Sequence, residues 1–338
     1  MYRLCIVYAF LALTVLEAPA LFAQTETAGT ELTMAISPEF PRPGDPITVS
    51  VESYNIDLNR ADVRWFINGK LVQSGVGGKS IVTRAGRAGE LMEIRVVALG
   101  ENGVIYSANI SLRPAKVNLL WQAESYTPPF YKGKALMPYQ GTVLVAAVPS
   151  FSRGNSVMSS ESLIYTWKEG DEVIGDSSGK GKSLFVFRGD VPIRPKTISV
   201  LVESPDHTMM AEASVDIVPV APRLLFYEEH PLYGILPKAL IGSFFMWGDE
   251  THIGVFPFYF ETDARASAQI SYGWEVNYQP VSNERGPSIT LRRATYAGGK
   301  SNLFLEAKSA DEEKLFQAAE ERLTIEFPAK APSFVGEE

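Results

Sequence analysis

Two tripeptides of this chain could close a phosphate-binding loop: Gly78-Lys79-Ser80 and Gly181-Lys182-Ser183. Phosphate chemistry of that kind needs a Gly five residues before the Gly-Lys-Ser and a helix after it, so that backbone N–H groups and the helix N-terminus face the anion. Gln73 and Asp176 stand where the first Gly is required. The runs that follow, Ile81-Val82-Thr83 and Leu184-Phe185-Val186-Phe187, are β-type. Both tripeptides therefore read as turns between strands, and nucleotide binding is excluded.

Other reactive groups are sparse. His207, His230 and His252 show no metal-ligand spacing, and no Gly-x-Ser-x-Gly elbow occurs. The one cysteine, Cys5, falls in the N-terminal apolar segment, which leaves thiol catalysis without a nucleophile. Asn55, Asp57, Asn59 and Asp62 alternate oxygen donors along one loop, a set that suits calcium, but Asx-rich loops also build turns unaided. No other metal or cofactor is indicated. No catalytic constellation emerges, and the chain reads as non-catalytic.

The elements that position these residues repeat. Trp65, Trp167 and Trp274 lie 102 and 107 residues apart, each in a strand-like run: Val63-Arg64-Trp65-Phe66-Ile67, Tyr165-Thr166-Trp167-Lys168 and Tyr272-Gly273-Trp274-Glu275-Val276. That spacing is one small β-sandwich. Gly78, Gly181 and Gly286-Pro287-Ser288 fill the same slot after each Trp, which is why the phosphate motif appears twice. The expected fold is all-β: three tandem immunoglobulin-like sandwiches over 32–114, 115–220 and 221–328, then a flexible tail over 329–338. A mid-strand Trp among apolar neighbours is core, removing roughly 150–250 Å² from water. Ala310 to Arg322 has helical composition, yet it occupies the place of a final hairpin, so a turn near Asp311 to Lys314 and a strand are expected there.

A strand Trp after a variable loop, a Pro43-Gly44-Asp45-Pro46 entry and a closing hairpin resemble bacterial immunoglobulin-like and PKD-type domains. The second module comes nearest, since Tyr165-Thr166-Trp167-Lys168-Glu169-Gly170-Asp171 is similar to the aromatic-x-Trp-x-x-Gly-Asp pattern of PKD repeats. The first departs at Ile67-Asn68-Gly69 and the third at Val276-Asn277-Tyr278. The resemblance covers about residues 32–328 and implies exported scaffolds, spacers and adhesion modules.

Residues 1–23 read as a secretory signal peptide: Arg3, an apolar run from Leu4 to Leu16, and small residues at Ala18, Ala20 and Ala23. The run spans roughly 20 Å, short of the roughly 30 Å hydrocarbon core. Cleavage after Ala23 would leave an exported chain, periplasmic, cell-surface or secreted, with no stable membrane span. The net charge of −8 argues against nucleic acid, and the hydrophobic fraction of 46% is ordinary for globular material.

Aromatic loops set the second and third modules apart from the first. Glu124 to Leu136 carries Tyr126, Phe130 and Tyr131 just after Trp121, and His230 to Leu240 carries Tyr233. Packing against the preceding module, capping of their own sandwich, or display to a partner are the three readings, and the first is favoured. Phe244, Phe245 and Trp247 form the best candidate for an exposed apolar patch. The expected function is a stiff envelope spacer or assembly component that binds another protein. A carbohydrate-binding protein using exposed aromatics is the alternative.

Overall fold

The computed structural model describes residues 32–100, 103–154, 156–294 and 297–329. The expected leader, with Cys5, and all of the tail beyond Ala329 lie outside the described residues.

The first sandwich comprises β1 (Thr33–Ser37), β2 (Pro46–Glu52), β3 (Asp62–Ile67), β4 (Lys70–Val76), β5 (Ser80–Arg84), β6 (Met92–Leu99) and β7 (Ile105–Leu112). They form sheets in the orders β1-β2-β5 and β4-β3-β6-β7. The second contains β8 (Lys116–Ala123), β9 (Thr142–Ser150), β10 (Ser152–Arg153), β11 (Ser156–Val157), β12 (Ile164–Glu169), β13 (Glu172–Val173), β14 (Gly179–Lys180), β15 (Leu184–Arg188), β16 (Lys196–Glu203) and β17 (Met210–Ile217). Its main sheets run β15-β9-β8 and β13-β12-β16-β17. The third contains β18 (Arg223–His230), β19 (Gly234–Leu240), β20 (Gly242–Phe245), β21 (Glu250–Phe258), β22 (Ile270–Val276), β23 (Gln279–Pro280), β24 (Ser288–Arg292), β25 (Gly299–Ser309) and β26 (Ala318–Phe327). Here the orders are β19-β18-β21-β24 and β20-β26-β25-β22-β23. The chain is thus all-β, three immunoglobulin-like sandwiches in tandem.

Alternation puts each strand's apolar set inside. In β12 the inward residues are Tyr165 and Trp167, and in β16 Ile198, Val200 and Val202. Trp65, Trp167 and Trp274 are all buried, on β3, β12 and β22. The turn over 310–317 separates β25 from β26, with no helix there, because β26 buries Leu323 and Ile325 on a period of two. An opening strand, β1, β8 or β18, precedes the first strand that the sequence pattern predicts in each module.

Two compact units make up the chain. One holds Val49–Ile81 and Glu93–Ile110 with the described residues up to Ile36. The other holds Ser37–Thr48, Val82–Met92 and the described residues from Ser111 onward. The second and third sandwiches therefore belong to one body.

Candidate functional site: the seam between the second and third sandwiches

The indole slots come first, because they dispose of the phosphate motif. Trp65 Nε1–H donates to Gly78 O at 2.8 Å, Trp167 Nε1–H to Lys182 O at 2.8 Å, and Trp274 Nε1–H to Gly286 O at 2.9 Å. Each buried indole thus finds its obligatory acceptor in the turn that leads into β5, β15 or β24. Lys182 turns its Nζ back onto Asp176 O, 2.6 Å away, inside its own loop. These turns serve the core.

The Asx loop is likewise committed. Asp57 Oδ1 accepts from the Asn59 backbone and side-chain nitrogens at 3.0 and 2.9 Å, and these bonds hold its carboxyl below the ordinary range. Asp62 accepts from Arg64 at 2.7 Å, and the Asn55 N–H donates to Ser53 Oγ. Among the described residues no three His, Cys, Asp or Glu side chains converge on a cation-sized site. No described helix is long and apolar enough to cross a membrane.

One hydroxyl–imidazole–carboxylate row does form. Thr290 Oγ1 lies 2.8 Å from His252 Nδ1, His252 Nε2 lies 3.1 Å from Glu229 Oε2, and Arg265 holds Glu229 Oε1 at 2.5 Å. Its members sit side by side on β24, β21 and β18, with His252 directly opposite Thr290. Arg265 neutralises the carboxylate and Thr290 stands exposed on the sheet. This is cross-strand polar pairing.

The aromatic loop of the second module packs in the opposite direction from that expected. Tyr126, Phe130 and Tyr131 lie against Tyr227, Phe256 and Phe258 of the following module, not against the preceding one. The reason is topological. β8 runs toward the end of its sandwich from which the chain leaves for β18, so the β8–β9 connection projects forward. Phe130 sits 4.8 Å from Tyr227 and 5.1 Å from Phe256, and Tyr131 meets Phe258 edge-on at 5.6 Å. The Tyr126 N–H donates to Phe260 O at 2.8 Å, and burial raises the pKa of its hydroxyl.

A polar seam runs beside this apolar clamp. Glu261 takes a hydrogen bond from Thr142 Oγ1 at 2.7 Å, and its other oxygen meets Lys314 Nζ at 2.9 Å. Gln140 donates to Glu313 O at 2.7 Å and accepts from Phe316 N–H at 2.9 Å. Gln317, buried at 1% exposure, donates to Tyr139 O at 2.9 Å and accepts from Glu261 N–H at 3.0 Å. The helix-like composition of 310–317 thus serves a docking turn. Sequence reasoning missed Tyr139, Gln140, Glu261, Lys314 and Gln317. Only the excess of polar residues over turn requirements hinted at them.

The remaining candidates separate. Trp121 lies on its own core beneath Lys134, whose Nζ is 3.1 Å from the ring centroid and whose pKa partial burial lowers. Phe244 packs on the third core beside buried Met246. His230 to Leu240 is mostly the strand β19, with Tyr233 exposed at its hairpin tip and stacked on His230 at 4.6 Å. Phe245 and Trp247 are exposed and tilted 55° to one another, 4.5 Å apart.

No family model and no curated protein matches this chain. Among solved structures it is similar to the three N-terminal domains of the bacteriophage RB49 Highly Immunogenic Outer Capsid protein, at 12% identity over 89% of this chain and 99% of that one, with a TM-score of 0.25. The central fibronectin-III array of RIM-binding protein matches at 8% identity over 86% and 95%, with a TM-score of 0.25. The Bacteroides ovatus glucan-locus protein SGBP-B, solved with a mixed-linkage heptasaccharide, matches at 12% identity over 87% and 70%, with a TM-score of 0.18.

Proposed function

We propose that this chain is an exported, non-catalytic spacer or assembly component of the cell envelope, built of PKD-type modules, that presents its modules to another protein at one angle. The observation that supports the reading is the seam. Aromatic rings and a continuous polar network join two sandwiches that a few residues of linker would otherwise leave free to swing. Burying a large apolar side chain contributes about 1.5–3 kcal/mol, so three half-buried rings outweigh thermal energy several-fold. Inter-domain surfaces without such packing are mobile by default. The carbohydrate alternative draws on Trp247, but its tilt against Phe245 gives no flat shelf for a sugar ring, and Trp121 is capped.

The test is a distance measurement by electron resonance between spin labels at Val157 and Tyr278, two exposed sites on different modules. Val157→Cys and Tyr278→Cys carry the labels, and with Cys5 replaced by Ser they are the only thiols. A narrow distribution that broadens in Phe130→Ala is expected. A broad distribution in the unsubstituted chain would sink the spacer reading.

A further inference from the structure

The outer face of the first sandwich carries a groove of about 630 Å³ on the sheet β4-β3-β6-β7. That volume falls within the roughly 300–1,000 Å³ of small-molecule sites. Alternation sets its lining. Val63 and Trp65 of β3 point into the core, which turns Phe66 outward. Ile94 and Val96 of β6 do the same, leaving Glu93, Arg95 and Val97 on the outer face. Phe66 stands directly opposite Arg95, and Ser107 and Asn109 complete the groove from β7.

Two features set this face apart from its counterparts. Its ring is bare. The matching cross-strand pair is Lys168 with Ser199 in the second module, which has no ring. In the third it is Glu275 with Phe304, whose ring lies 5.0 Å beneath the Arg322 guanidinium. Among the described residues neither a cation nor a second ring stacks on Phe66. Its polar side chains are also uncommitted. On the third face Lys300 pairs with Glu326 and Lys308 with Glu306, each at 2.7 Å, and on the second Thr197 Oγ1 donates to Asp216 at 2.6 Å. Among the described residues the side chains of Glu93, Arg95 and Asn109 have no such partner, and all three are exposed.

We infer that this groove binds a neutral oligosaccharide. The backbone of β6 is already paired with β3 and β7, so a peptide laid across it meets no free N–H or C=O, and side chains must read the ligand. One carboxylate beside one guanidinium sums to no net charge, which gives a phosphate no attraction. A wholly apolar ligand would strip water from both charges and replace none of it. Sugar hydroxyls meet every group, since each can donate to Glu93 and accept from Arg95, and the Asn109 amide serves either way. The C–H face of a sugar ring then lies on Phe66 and Val97. The inference goes beyond the spacer reading, because it gives the first module a ligand of its own.

Binding of the full chain to an array of immobilised neutral oligosaccharides, acidic oligosaccharides and peptides tests it, with each hit remeasured by calorimetry. Neutral oligosaccharides should be retained. Arg95→Ala and Asn109→Ala change exposed side chains, so the fold persists, checked by circular dichroism. Each should weaken binding about tenfold, the loss of roughly one hydrogen bond. Phe66→Leu keeps an apolar residue at a half-buried position but removes the flat ring, and should weaken binding as well. Trp247→Ser in the third module should leave the affinity unchanged. An array that retains no neutral oligosaccharide would overturn the inference. So would a preference for acidic sugars or peptides, retention that survives both Arg95→Ala and Asn109→Ala, or retention that depends on Trp247. Each of these results leaves the inter-module distances, and with them the spacer reading, untouched.

Discussion

The indole of Trp274 reaches across its sandwich to the Gly286 carbonyl, 2.9 Å away, and Trp167 makes the same reach to Lys182 at 2.8 Å. Each bond ties the strand that centres a core to the turn that closes it. Trp167→Ala should cost about 3–5 kcal/mol through lost burial and the cavity left behind. Trp167→Phe keeps much of the apolar volume but strands the Lys182 carbonyl, at about 1–3 kcal/mol. Hydrogen exchange mapped along the chain separates the two. Alanine should expose β12 and β16 together, and phenylalanine should weaken protection without abolishing it. Unchanged protection in both variants would show that the indole carries little of the core.

Gln317 joins the modules through two backbone groups, Tyr139 O and Glu261 N–H. Gln317→Ala leaves both of these backbone groups without their side-chain partner at a buried position, and each orphaned group costs about 1–3 kcal/mol. Thermal unfolding of the second and third modules, coupled in the native chain, should separate into two transitions. A single transition at an unchanged midpoint would rule out this role for the side chain.

Acid should loosen the same seam. The Asp311 carboxyl is held below its ordinary range chiefly by the Glu313 backbone N–H, with help from Lys314 and Arg188. A depressed folded-state value means the group stabilises the turn above its unfolded value of about 3.9, and that support is lost as pH falls through the lower folded value. Between pH 7 and pH 5 the inter-module distance should hold. Below about pH 4 it should broaden, and Asp311→Asn should weaken the pH dependence. A seam equally tight at pH 3 and pH 7 would dismiss the carboxylate's part.

Much of this fold was legible because a Trp period and Gly-marked turns are local signals. The opening strands were not. Leu119-Leu120-Trp121 is a continuous apolar run, and it hides the alternation by which β8 faces inward at Val117 and Ala123 and outward at Leu120. The direction of the aromatic loop was also invisible, since order along the chain does not say which end of a sandwich a connection caps. Part of the seam consists of backbone groups, among them Tyr139, Phe260 and Glu313, which leave no trace in residue type.

The residue three after each Trp adopts a left-handed backbone: Asn68 at φ 49°, Gly170 at φ 59° and Asn277 at φ 52°. Each N–H there donates to a strand carbonyl, Glu93, Thr197 or Asn302, at 2.8 Å. The two asparagines also return a side-chain bond to the facing strand, 2.8 Å to Glu93 N–H and 2.9 Å to Asn302 N–H. A Cβ at Gly170 would meet nothing within 4 Å, so any cost of a side chain there is backbone strain alone. Gly170→Asn should therefore be nearly neutral, because Asn tolerates this region and gains the bond its two counterparts make. Gly170→Val should cost about 1–3 kcal/mol, since a β-branched residue is least able to adopt it. Local opening energies of the β12 and β16 amides measure both. Equal losses for Asn and Val would mean that space, not the left-handed turn, selects the residue at this position.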